Sequence, residues 1–130
     1  MPAKQLTIFL ENQTGRLAEV AKILKEGNIN LQGFSTTEAR DYGILRLVVS
    51  DTEKARQMLK DAGFTTHIAD VICFSVHDRP GELYRILEIL ADQKINIDYI
   101  YVIAGTRLVI SVDDIAKAVD VLEKKGIQLC

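Results

Sequence analysis

The chain has 130 residues, 48% of them hydrophobic and 26% charged, with a formal charge of −2, which is ordinary globular composition at a length for one domain or two very small ones. Lys and Arg are interspersed with Asp and Glu, which argues against a nucleic-acid or anionic-membrane partner, since both need clustered basic charge. No apolar run approaches the ~20 residues that cross a bilayer, and the stretch from Met1 to Asn12 lacks the form of a signal peptide. Cys73 and Cys130, read as two lone thiols, suit a reducing cytoplasm better than a disulfide scaffold.

Along the chain, Leu6, Ile8 and Leu10 alternate with Gln5, Thr7 and Phe9, the period of a strand. Leu17, Val20, Ala21 and Leu24 then recur at helical spacing, and Gly27 with Asn28 supplies a stop. A second strand is expected over residues 29–37 and a third over 44–50, joined by a hairpin turn. Ala55, Met58, Leu59 and Ala62 give a second helix one apolar side, Gly63 ends it, and a fourth strand starts at Phe64. The same series then returns: strand 71–76, helix 83–90, strands 95–102 and 108–112, helix 115–122 and strand 127–130.

The return is a true internal repeat, the first thing to seek in a new sequence. With Glu11-Asn12-Gln13-Thr14-Gly15-Arg16-Leu17 set above His77-Asp78-Arg79-Pro80-Gly81-Glu82-Leu83, Gly15 falls on Gly81 and Leu17 on Leu83. Ile29-Asn30 falls on Ile95-Asn96, and Lys54-Ala55, Leu59 and Gly63 fall on Lys117-Ala118, Leu122 and Gly126. The second copy is shorter only at the hairpin, where Ala104-Gly105-Thr106 replaces a longer turn, as a loop tolerates. The order β-α-β-β-α-β makes the fold class α+β: two tandem ferredoxin-like βαββαβ units, each an antiparallel sheet with its helices on one face. The expected domains are residues 1–70 and 71–130, with no Gly/Ser/Pro linker between them.

The loop before each first helix carries the chemistry. Glycine there allows close approach to the backbone, and a helix start offers unpaired N–H groups to a carboxylate or phosphate. Asn12 and Asp78 stand just ahead of that turn, while Asn30 and Asn96 open the next strand. A polar side chain from the loop and another from the strand would converge on one ligand. A plainer reading stands beside it: Asn and Asp are favoured N-caps, Pro80 suits a first helical turn, and Asn30 and Asn96 fit a turn leaving the helix.

These two motifs, with Asn28-Ile29-Asn30-Leu31 and Lys94-Ile95-Asn96-Ile97, resemble the signature of the ACT family, over essentially the whole chain and twice. The resemblance implies a regulatory module that binds an amino acid where two domains meet, with contacts from the loop of one domain and the second strand of its neighbour. It assigns the polar loop position to Asn12 and Asp78 and the strand position to Asn30 and Asn96. Backbone contacts fall on Gly15, Arg16 and Leu17 and on Gly81, Glu82 and Leu83, with Gln13, Thr14, Arg79 and Pro80 completing the loops. Serine-binding members carry a histidine two positions before the loop Asn. Here those positions are Leu10 and Val76, which disfavours serine recognition of that kind. Asp78 would repel a ligand carboxylate, so the first copy matches the family site better. The expected partners are an amino-acid ligand, a second copy in a homodimer, and a separately encoded metabolic enzyme; the alternative is a ligand-free dimerisation or docking module.

Other classes fit less well. His67 and His77 have no Cys or Ser partner at a recognisable spacing, and there is no phosphate loop or metal-ligand cluster. The expectation is therefore a non-enzyme with no cofactor and no metal. Tyr99 and Tyr101 alternate on one strand as RNA-binding aromatics would, but Asp98 stands next to them and the chain is acidic.

Overall fold

A computed structural model describes residues 2–11, 13–38 and 41–130, with Glu38 described by its backbone alone. It divides into two compact units, Lys4–Ala69 and Asp70–Cys130, the latter grouped with residues 2–3 at the start of the chain. In the first, β1 (Ala3–Glu11) leads to α1 (Arg16–Glu26), β2 (Leu31–Glu38), β3 (Tyr42–Val49), α2 (Thr52–Asp61) and the beginning of β4 (Thr65–Ser75). The strand order is β4-β1-β3-β2, with β3 antiparallel to both neighbours. Leu6 and Ile8 face inward from β1, Leu45 and Leu47 from β3, and Val20, Leu24, Ala55 and Leu59 from the helices, forming one core closed by Phe64. The strand residues keep period 2 and the helix residues are four apart, so each element buries one side.

The second unit repeats the plan. The rest of β4 is followed by α3 (Glu82–Asp92), β5 (Ile97–Ile103), β6 (Arg107–Val112) and α4 (Ile115–Lys124), in the order β4-β6-β5. Its core joins Ile72, Phe74, Leu108 and Ile110 to Ile86, Leu90, Ala118 and Leu122. Both first helices are left through a non-glycine residue of positive φ, Asn28 at 55° and Lys94 at 58°, which delays the next strand to Leu31 and Ile97, two residues later than hydrophobicity alone suggests.

As the missing linker suggests, the fourth strand of the first unit runs straight into the first strand of the second as one strand, β4, 11 residues long. Two features differ from the sequence reading. The expected strand 127–130 is reduced to a single bridge, Phe74 to Leu129, flanked by the Ser75 N–H donating to the Gln128 carbonyl and the Cys130 N–H to the Cys73 carbonyl. That pairing sets the Cα atoms of Cys73 and Cys130 5.2 Å apart, and the two are joined in a disulfide, within the usual span for such a bond. The reading of two lone thiols is thus overturned, and with it the cysteine argument for a reducing compartment. Sequence spacing concealed the pair because the tail meets β4 only after the whole unit has folded.

The disulfide spans a sequence separation of 57, so reduction, or Cys130→Ser, should cost the second unit up to about 4 kcal/mol on the loop-closure scale. Urea unfolding with and without dithiothreitol measures this; coincident curves would show that the bond contributes nothing.

Candidate functional site

The turn from strand to helix is built identically in the two units. The Gln13 N–H donates to the Glu11 carbonyl (2.8 Å), the Arg16 N–H to Gln13 (3.4 Å) and the Glu19 N–H to Gly15 (2.9 Å). At the matching places Arg79 donates to His77 (2.9 Å), Glu82 to Arg79 (3.5 Å) and Arg85 to Gly81 (3.0 Å). The N-caps are Gly15 at φ 88° and Gly81 at φ 87°, and among the described residues neither helix receives a side-chain cap. Asp78 therefore does not cap α3, contrary to the plainer sequence reading; the left-handed glycine takes the cap position. α2 and α4 are closed conventionally, by Asp51 on the Lys54 N–H and Asp114 on the Lys117 N–H. Among the described residues no side chain closes the starts of α1 and α3, and the first-turn N–H groups after those of Arg16 and Glu82 stay open to a ligand at the positive end of the dipole.

Each open turn borders a cleft. In the first unit it has a volume of about 270 Å³, with Gln13, Arg16 and Leu17 on one side and Thr36, Thr37, Tyr42 and Gly43 on the other. The second unit has one of about 310 Å³. Asp78, Arg79, Glu82 and Leu83 line its loop side, and Val102, Thr106 and Arg107 face them. Thr14 and Pro80 shape the turns without lining the clefts. Asn12 lies outside the described residues.

Asn30 and Asn96 do not join these groups. The Asn30 N–H donates to Ser50 Oγ (2.9 Å) and its carbonyl accepts from the Ser50 N–H. The Asn96 N–H donates to Asp113 Oδ1 (3.1 Å), and its side-chain amide to Asp98 (3.2 Å). β2 starts there, where Leu31 opposes Val49, and ends at the cleft, where Glu38 opposes Gly43. Six residues of strand separate Leu31 from Thr37, roughly 20 Å. Convergence within one unit is thus corrected: α1 returns the chain to the far end of the sheet before β2 begins. The strand positions that do reach the cleft, Thr36 and Val102, went unnoticed in the sequence. Their signal was the hairpin, which turns β2 into β3 at the same end of the sheet where β1 ends, so that Gly43 opposes Glu38 on one side and Leu10 on the other.

Charge differs between the clefts. Arg16 Nη1 pairs with Glu19 at 2.7 Å, and its guanidinium lies 4.4 Å from the centroid of the Phe64 ring. Its Nε is buried without a hydrogen-bond partner among the described residues. The matching residue in the second unit is Glu82, only 7% exposed. Its Oε1 accepts from both Nε and Nη2 of Arg79 at 2.8 Å, and Arg85 Nη2 lies 3.5 Å from Oε2. The Arg79 hydrogen bond outweighs burial and, aided by Arg85, holds the Glu82 carboxyl below the usual carboxylate range. Among the described residues there is no group of three or more His, Cys, Asp or Glu placed to hold a metal, and no helix is long and apolar enough to cross a membrane.

Beside the first cleft, Leu17, Ala21, Leu31 and Phe34 line an apolar groove of about 160 Å³. Phe34 is 54% exposed, and Leu17 and Leu31 are also exposed. β2 ends its strand order, as β5 does on the other side, where Leu83, Ile100 and Val102 are exposed.

Paired βαββαβ units with an uncapped helix start beside a cleft define a duplicated ferredoxin-like α+β protein. The chain belongs to the ACT domain pair family, whose model matches residues 1–130. Protein BT0572 from Bacteroides thetaiotaomicron is similar at 41% identity and a TM-score of 0.96, covering 100% of this chain and 92% of that one. The ligand-free regulatory subunit of aspartate kinase from Thermus thermophilus shares the fold at 14% identity and a TM-score of 0.70, covering 95% and 93%. The corresponding subunit from Thermus flavus does so at 16% and 0.65, covering 95% and 90%. No curated protein matches the chain.

Gly15→Ala and Gly81→Ala should each cost about 1–2 kcal/mol, since an added Cβ meets nothing within 4 Å and only the left-handed backbone is strained. Urea denaturation checks this; a cost near zero would mean that the turns relax and the glycines are not needed for their conformation.

Proposed function

We propose that this ACT domain pair is a regulatory protein and not an enzyme, binding a small amino acid in the clefts at the starts of α1 and α3. The observation that carries the reading is the repeated left-handed glycine, which leaves two helix starts uncapped beside clefts. A ligand carboxylate takes the first-turn N–H groups, where the helix dipole favours it. In the first cleft Glu11 and the hydroxyl of Thr36 are available to the ammonium group. Asp78 sets a negative charge beside the second cleft, so the first cleft is the stronger site.

Asn30 and Asn96 enter this scheme only from another copy of a unit, because each stands at the far end of its own strand. A homodimer formed along the outer strands β2 and β5 would cover Leu31, Phe34, Ile100 and Val102 and carry each Asn toward a neighbouring loop. Unpaired strand edges with exposed apolar side chains favour such pairing. Ligand bridging two copies shifts the dimer equilibrium, and that shift is the signal passed to a separate metabolic enzyme. The regulatory subunits of aspartate kinase that share this fold lend this support by analogy of fold.

A thermal-shift screen of the common amino acids at millimolar concentration tests the reading, since a ligand that binds the native state stabilises it by mass action. One amino acid should raise Tm and alter light scattering, and Thr36→Val should weaken it roughly 3–10-fold by removing one hydrogen bond. No shift with any amino acid would favour a ligand-free dimerisation or docking module, to which the apolar groove also lends itself.

A further inference from the structure

The second unit has another pocket, adjoining its cleft at Glu82 and His77, walled by Ser75, Arg85 and the Gly126–Gln128 tail, with a volume of about 240 Å³. The first unit provides an internal control, because the backbone there is the same. The Phe64 N–H donates to Leu59 and the Ile127 N–H to Leu122, both at 3.0 Å, and Gly63 and Gly126 are both left-handed. In the first unit, however, the Arg16 guanidinium lies over the Phe64 ring. Glu82 and Ile127 stand at the matching positions of the second unit, so neither half of that stack is present and the space is open.

The pocket presents both signs of charge. Glu82 Oε1 takes two bonds from Arg79, whereas among the described residues Oε2 has only Arg85, at 3.5 Å. The Arg85 side chain is half exposed, so its guanidinium keeps donors for an incoming group. A buried carboxylate oxygen and a guanidinium side by side suit a molecule whose own ammonium and carboxylate are adjacent. Ser75 and Gln128 add neutral hydrogen-bonding groups on the walls. We propose that this pocket is a second ligand site, specific to the second unit, for the zwitterionic head group of a small α-amino acid, with the ammonium on Glu82 Oε2 and the carboxylate on Arg85. The pocket adjoins the second cleft and shares Glu82 and His77 with it, but Arg85 and Gln128 line this pocket and neither cleft, and they report on it alone.

Amide chemical shifts of the full chain, titrated separately with glycine, acetate and methylammonium, test it. Glycine should shift Ser75, Arg85 and Gln128 saturably, and each half-molecule should bind at least about tenfold more weakly, as a single charge-assisted bond is worth. Arg85→Gln, at an exposed position, and the isosteric Glu82→Gln should each abolish the glycine response. The proposal is overturned if acetate or methylammonium matches glycine, if Arg85→Gln retains the response, or if glycine moves no signal at these residues. Glycine shifts confined to Gln13, Thr36 and Gly43 also overturn it, while supporting the clefts.

Discussion

One backbone constraint governs everything that makes the ends of this fold useful. At Gly15 and Gly81 the chain passes from strand to helix through a left-handed residue, a conformation that costs an L side chain about 1–2 kcal/mol. Taking that conformation at the cap position keeps Asp78 from closing α3 and leaves the first turns of α1 and α3 open. It also fixes where the next side chain goes, so Arg16 and Glu82 land between a cleft and the turn after the unit's second helix. The hairpin supplies the opposite wall, because β3 is antiparallel to both β1 and β2.

Much of this was legible in the sequence because it depends on local patterns. The alternation from Gln5 to Leu10 and the helical spacing from Leu17 to Leu24 fix elements by periodicity alone, and the doubling of Gly15 at Gly81 marked the loops. The remainder depends on where elements meet. Asn30 was grouped with its own loop because sequence adjacency hides the length of β2; antiparallel return places Thr36, not Asn30, at the cleft. The disulfide escaped notice for the same reason, since Cys73 and Cys130 meet only through the tail pairing beside Phe74. The continuity of β4 was legible too, because no Gly, Ser or Pro linker stands where the first copy's last strand runs into the second copy's first.

The units share backbone and diverge in side chains at a few decisive places. Arg16 stacked on Phe64 in one becomes Glu82 held between two arginines in the other. A buried carboxylate in that position is tolerable only because Arg79 and Arg85 neutralise it; removing either partner of such a pair is far costlier than never having it. The pair is therefore one backbone scaffold with unlike side chains and charge at the matching turns.

The most direct test is a crystal structure of the protein grown with a mixture of the common amino acids. The account predicts one amino acid in the first cleft, its carboxylate within hydrogen-bonding distance of the first-turn N–H groups of α1 and its ammonium near Glu11 and Thr36. A cleft holding only solvent, or a ligand whose carboxylate points away from the helix start, would contradict it.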